Sequence, residues 1–301
     1  MEEIIVLIGM SVGYNRPYFE PNRPNSVFMD HLSQIIDRFS LQAGVFYTGK
    51  LCGLSHFTED GALEGHIHLL RSGSLSILGL DKSTMVLDKP SIIFLPRPTK
   101  HSLKARDTDN AELICATVTY GSDSSNLLAN ALPDLLVLPL EQSPFLQTNI
   151  DWIITEAGVE QQGRQAVMNR LMEIFIINMM RSLITKGELA QGMLAGLMHS
   201  QLKNVLQQLH NHPEAHWSLD KMAEIALMSR SKFAEVFKVV IGQTPNDYLV
   251  SWRVAVAQSL LKQGKNVSVV ANSVGYETAS ALARVFRKQT NMSPKAWLEK
   301  Q

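Results

Sequence analysis

A duplication near the C-terminus constrains this chain more than any other feature. Ser229–Leu249, SRSKFAEVFKVVIGQTPNDYL, recurs at an offset of 49 residues as Thr278–Leu298, TASALARVFRKQTNMSPKAWL. Phe233 aligns with Leu282, Val236 with Val285, Phe237 with Phe286, Lys238 with Arg287 and Pro245 with Pro294. Each copy follows a short apolar-periodic segment and a tight turn, LDKMAEIALMS in the first and VSVVANSVGYET in the second. Helix, short turn, helix is the helix-turn-helix arrangement, whose second helix enters the major groove of DNA. Ser229 and Thr278 are good N-caps for the second helices, and exposed helix N-termini suit phosphate contact.

Periodicity then assigns the faces of both helices. Phe233, Val236 and Phe237 point inward, as do Leu282, Val285 and Phe286. The first helix is left presenting Arg230, Ser231, Ala234, Glu235 and Lys238. The second presents Ala279, Ser280, Ala281, Arg284 and Arg287. Arg230 and Arg284 can donate bidentately to guanine, and Glu235 can accept from cytosine N4. Lys232, Lys238, Arg287 and Lys288 suit phosphates, which position a protein without reading sequence. The alanines of the second helix favour thymine methyls and DNA shape over hydrogen-bonding edges. Charge agrees: from Gln201 onward 13 Lys/Arg stand against 7 Asp/Glu, whereas the first 200 residues hold 15 against 21. A basic C-terminal third on an acidic remainder points to a polyanionic partner for one part only.

The stretch WSLDKMAEIALMSRSKFAEVFKVVIGQTPNDYLVSWRV…VVANSVGYETASALARVFRKQTNMSPKAWL resembles the DNA-binding domain of the AraC/XylS family, over roughly Gln201 to Leu298. The resemblance implies a transcription regulator of promoter DNA. It also implies a helix from about Asn246 to Gln263 that joins the units, so that both recognition helices meet one face of DNA in successive major grooves. RNA polymerase is a further implied partner if the chain is an activator. One departure is Asn291, where the family has glycine; asparagine also tolerates the left-handed conformation.

The N-terminal part has a different texture. From Val45 to Val118 short β-type runs alternate with turn residues (VFYTGKLCGL, HIHLL, SLSIL, TMVL, SIIFLP, HSLKA, ELICATVTY). Several short strands at this spacing predict a barrel or sandwich. The fold class expected is therefore α+β: an N-terminal β-barrel with a helical dimerisation segment, then an all-α double helix-turn-helix. In EGHIHLLRSGS, His66 and His68 lie at i and i+2 on one strand face. The region resembles a cupin barrel, which implies that His101 joins them at the barrel mouth. Ser72 stands where the cupin glutamate belongs, Ala105 replaces the final Asn ligand, and Pro90 and Pro98 replace glycines. Zinc held by His66, His68 and His101 with one open position is chemically possible. A sensor pocket for an unidentified small effector is the alternative, and a metal-dependent cupin enzyme fused to a DNA-binding module is the competing class. A dioxygenase-type site wants the missing carboxylate, so no catalytic residue is assigned.

Cys52 and Cys115 lie in strand-like runs, at positions where cupin-containing relatives of the family carry cysteine. They read either as packing residues or as thiols whose oxidation alters DNA affinity. Two cysteines are too few for a disulfide-stapled secreted scaffold, and a reducing cytoplasm is expected. The opening MEEIIVLIGM lacks a positive n-region and is too short to span a bilayer. Residues 1–28 read as an irregular arm, or as sequence upstream of the native start. The domains expected are 29–197 for the cupin-like sensor and 198–301 for DNA binding. From Ile150 to Lys186 the period is helical, apolar nearly all round in QAVMNRLMEIFIINMMRSLI, and pairs the chain as a homodimer better than it spans a membrane. His210, His212 and His216 read as solvated connector histidines at a helix end.

Overall fold

The computed structural model describes residues 30–57, 64–80, 83–121, 127–142, 144–189 and 191–300; the expected N-terminal arm lies outside them. The first element, α1 (His31–Phe39), opens on Asp30, whose carboxylate accepts the Ser33 backbone N–H at 3.0 Å. Nine strands follow among the described residues: β1 (Leu41–Leu51), β2 (Gly53–Phe57), β3 (Gly65–Ser72), β4 (Leu75–Leu80), β5 (Ser83–Leu87), β6 (Ser91–Leu95), β7 (His101–Ala105), β8 (Ala111–Tyr120) and β9 (Leu136–Pro139). They pair antiparallel in two ladders, β1-β8-β3-β6-β9 and β2-β7-β4-β5. The barrel expected from sequence is thus an open two-sheet sandwich, because no described ladder joins the edges of one sheet to the other.

The larger sheet is buried on both faces, so β3 and β6 are continuous buried runs rather than alternating ones. One face carries Leu70, Ile93, Leu95, Leu113 and Cys115 into the space between the sheets, where they meet Leu75, Ile77 and Leu103 of the smaller sheet. The opposite face carries Ile67, Leu69, Ile92, Ile114 and Ala116 into a core shared with helices. Gly73 turns the chain out of β3 at φ 81°, and an ideal Cβ there would stand 2.3 Å from the carbonyl oxygens of Asp109 and Asn110, so only glycine fits.

A short helix, α2 (Leu127–Asn130), leads to β9, and the helical stretch expected over 150–186 is two helices, α3 (Pro144–Ala157) and α4 (Arg164–Lys186). The break falls at Gly158 to Gly163, where Gly163 sits at φ 84°. The helix α4 runs beside the edge strand β1 and satisfies its backbone with side chains. Asn169 Oδ1 accepts the Val45 N–H at 3.0 Å, Glu173 accepts that of Ala43, and Gln165 donates to the Val45 carbonyl. That polar face blunts the sheet edge. Val167 and Ile174, two apolar positions of this stretch, are 44% and 43% exposed, whereas Met168, Met172 and Ile176 lie inside.

The rest is helical: α5 (Met193–Met198), α6 (Leu202–Asn211), α7 (Leu219–Ile225), α8 (Arg230–Ile241), α9 (Pro245–Lys262), α10 (Val267–Ser273), α11 (Ala279–Thr290) and α12 (Pro294–Leu298). The hydrophobic core is continuous from the N-terminal domain into these helices. At the joint, Phe39 of α1 packs edge-on against Trp252 of α9 at 5.9 Å, and the Arg38 guanidinium lies 5.2 Å above the same ring. The Gly192 N–H donates to the Val240 carbonyl at the end of α8, and the Gln191 amide donates to that of Val239. No helix among the described residues is long and apolar enough to cross a membrane.

Candidate functional site

The duplicated segments fold as two matched units. In the first, α7 is capped by Ser218, which accepts from Lys221, and α8 by Ser229, which accepts from Lys232 at 3.4 Å. The turn between them holds Leu227 at φ 54°, an uncommon conformation for a leucine, with its side chain in solvent. In the second, α11 is capped by Thr278, which accepts from Ala281 at 3.1 Å, and ends in Asn291 at φ 59°, the left-handed residue the sequence called for. Phe233, Phe237, Leu282 and Phe286 are fully buried, while Val236 and Val285 pack at the margin of the core.

On the outward faces Ser229, Arg230, Ser231, Glu235 and Lys238 are exposed and Ala234 is half-buried. On α11, Thr278, Ser280, Arg284, Arg287 and Lys288 are exposed, with Ala279 and Ala281 half-buried among them. Two of these side chains already have partners: Arg230 pairs with Asp220 at 3.6 Å and Glu235 with Lys232 at 3.2 Å. Both pairs are exposed, so each contributes little and neither ties its side chains down.

The N-terminal site is built from both sheets. His66 and His68 of β3 face inward, as their spacing required, and His101 at the start of β7 meets them from across the sandwich. Ring centroids lie 5.9 Å apart for His66 and His68, 5.3 Å for His66 and His101, and 5.1 Å for His68 and His101. Phe57 of β2 stacks on His101 at 4.7 Å and touches the other two rings, and Phe46 closes the outer side. The sequence reading missed Phe57, which lies in no motif and between the β-type runs.

Hydrogen bonding fixes the tautomers. His101 Nδ1 lies 2.7 Å from the Thr99 carbonyl, which only accepts, so Nδ1 carries the proton and Nε2 is bare. His68 Nε2, 2.8 Å from His101 Nε2, must then be the donor of that bond, and its own Nδ1 is left as an unprotonated lone pair. That atom is buried without a partner, as is His66 Nδ1. Burial holds all three imidazoles below the ordinary histidine value, His66 down to about 4, so the cluster is uncharged at neutral pH.

Zinc held by these rings would have to displace a hydrogen bond. The His101 lone pair that would ligate is already accepting from His68, and Ser72 lies exposed at the end of β3 with no carboxylate to add. Among the described residues no three His, Cys, Asp or Glu side chains stand as a metal site requires.

The cysteines part company. Cys115 is buried on β8 directly opposite His68 of β3, and burial pushes its thiol up to about 12. Cys52 is exposed between β1 and β2. Since Cys115 pairs with Tyr47 in the ladder, Cys52 is five residues along the strand, about 16 Å away. That is far beyond the reach of a disulfide. Alkylation of the native protein is therefore expected at Cys52 and not at Cys115, read by mass spectrometry; modification of Cys115 at a comparable rate would contradict its burial.

Of the connector histidines, His210 departs from expectation. It lies within α6, is buried, and stacks on Trp252 at 3.8 Å while its Nε2 bonds the Tyr248 hydroxyl. His212 and His216 are in the connector.

Paired helix-turn-helix units joined to a two-sheet β domain define a transcription regulator that binds DNA with one domain and carries a separate N-terminal module. A cupin domain model matches residues 30–185, and a helix-turn-helix domain model matches residues 222–300. The chain belongs to the AraC/XylS family of transcription regulators with an N-terminal cupin domain, and it binds promoter DNA. It is 31% identical over 258 residues to the HTH-type transcriptional regulator AlkR of Acinetobacter baylyi, covering 81% of this chain and 84% of that protein. It is 26% identical over 238 residues to RclR of Escherichia coli, an RCS-specific HTH-type transcriptional activator, covering 77% and 84% respectively. The crystal structure of ToxT from Vibrio cholerae covers 86% of this chain and 97% of its own at a TM-score of 0.37 and 15% identity.

Proposed function

We propose that this regulator reads its operator with Arg230, Ser231, Ala234 and Glu235 of α8 and with Ala279, Ser280, Ala281 and Arg284 of α11. Ser229, Lys232, Lys238, Thr278, Arg287 and Lys288 sit on the phosphates beside them. The N-terminal sandwich is the sensor, and the imidazole cluster between its sheets is where the signal is received. One observation carries this: His66 and His68 each keep a buried ring nitrogen without a partner. A buried polar atom left unpaired costs about 1–3 kcal/mol, which a ligand can return as binding energy. The bare His68 Nδ1 accepts, so the ligand is a small molecule offering a hydrogen-bond donor between aromatic walls. No step of a reaction is assigned, because nothing beside the cluster is a charged acid or base.

The exposed Trp152, Val167 and Ile174 of α3 and α4 support a homodimer through these helices. The cytoplasm is the compartment, where DNA is reached and Cys52 rests as a free thiol until an oxidant arrives. Contact with RNA polymerase follows if the bound promoter is activated. Oxidation at Cys52 is the second route for a signal, supported by that thiol's exposure.

The test begins by mapping the promoters the chain occupies across its genome, then fusing one to a reporter. Replacing His68 and His101 together by Leu and Phe is expected to abolish the reporter's response to its inducing condition while promoter occupancy without inducer is kept. A full response in that variant excludes the cluster as the sensor.

A further inference from the structure

Two reading helices in one chain behave as one bidentate reader only if something sets the angle between them. We infer that Arg253, on the helix between the units, is that positioning residue. It stands midway along α9 and touches both units at once. Its Nε donates to the Pro213 carbonyl at 2.8 Å and its Nη2 to the Ala215 carbonyl at 2.9 Å, both in the connector that leads into α7. The same guanidinium lies 5.4 Å from the centre of the Tyr276 ring, in the turn between α10 and α11. One planar cation thus ties the entry of the first unit to the turn of the second.

The second turn is built around that contact. Gly275 sits at φ 79°, and an ideal Cβ on it would fall 2.5 Å from Arg253 Nη2, 2.9 Å from its Cζ and 2.9 Å from the Glu214 carbonyl. A side chain there would push the guanidinium out of the space it shares with both units. Gly275 serves the turn by its positive φ, and its bareness also admits Arg253.

Arginine suits the task and lysine does not. A fixed fork donates to two carbonyls in one plane and lays its face on an aromatic ring, whereas an ammonium on a flexible stem cannot do both. The clamp rests on the reading that both α8 and α11 contact DNA. Linking two binding units raises affinity only when the geometry lets both engage at once. Arg253 therefore acts on the spacing the protein accepts and leaves each contact with the bases alone.

The experiment uses the full chain and a duplex that it selects itself from a randomised 40-bp pool. Affinities are measured for that duplex, for the same duplex with 2 bp inserted between its half-sites, and for one with the α11 half-site scrambled. Two base pairs turn one half-site by roughly 70° against the other, given 10–10.5 bp per turn. Wild type is expected to lose at least tenfold on the insertion. Arg253→Met keeps the apolar stem and is expected to bind the uninserted duplex about tenfold more weakly. Its insertion penalty should shrink to within about threefold, while its affinity for the scrambled duplex stays within twofold of wild type. An Arg253→Met chain that keeps the wild-type insertion penalty overturns the inference, and so does an equal loss on all three duplexes. If that variant lacks a cooperative thermal transition, Tyr276→Leu, which removes only the ring under the cation, decides by the same ratio. A wild type indifferent to scrambling means instead that α11 does not read DNA, and the reading of the two helices fails before the clamp is reached.

Discussion

Replacing Arg230 and Arg284 together by alanine is expected to lower affinity for the selected operator by about one and a half to four orders of magnitude. A bidentate arginine–guanine contact carries about 1–3 kcal/mol of discrimination, and 1.4 kcal/mol is tenfold. The two side chains stand on different helices, α8 and α11, without a shared partner, so their effects should add. Neither is buried, and the Arg230 pair with Asp220 is solvent-exposed, so the thermal midpoint should stay near that of wild type. Fluorescence anisotropy at fixed salt measures this. The contrast is with Lys232 and Lys288, where alanine should weaken binding uniformly across sequences and lower the salt slope by about one each. Undiminished affinity in the double arginine variant would mean that neither side chain reads a base.

The second large effect falls on stability. Trp252→Ala is expected to cost about 3–5 kcal/mol, the range for emptying a large aromatic site. Trp252 is 1% exposed, stacked on His210, met edge-on by Phe39 and covered by Arg38. Its indole nitrogen has no hydrogen-bond partner, so no hydrogen bond is lost with the ring. Because three of its neighbours come from α1 and α6 while it stands on α9, the cavity opens at the joint between sensor and DNA-binding domain. Urea denaturation followed by circular dichroism should show a lower midpoint. A midpoint within that of surface substitutions would mean that the joint collapses around the gap without cost.

Much of the DNA-binding half was legible from residues alone. The repeat at an offset of 49 residues put apolar positions at helical spacing twice over, and helices are set by local periodicity and caps. Ser229, Thr278 and Asn291 therefore do what their chemistry said they would. The common face of His66 and His68 was legible for a similar reason, since a strand alternates with a period of two. The break between α3 and α4 was less so, because Gly158 and Gly163 compete with an apolar run that looks continuous. The exposure of Val167 and Ile174 was not legible at all: a helix apolar on nearly every side does not say which side the sheet will take.

The sequence by itself determined that two helix-turn-helix units stand in series, which side chains their outer faces offer, and that two imidazoles share one wall of a β domain. Each of these follows from spacing within a dozen or so residues. Only the tertiary structure decided that His101 accepts a hydrogen bond from His68, that the sheets remain two ladders, that His210 is interior, and that Arg253 holds Pro213, Ala215 and Tyr276 together. Those facts join residues some 20 to 40 positions apart or more, and local periodicity carries no information about which distant groups the packing will bring into contact.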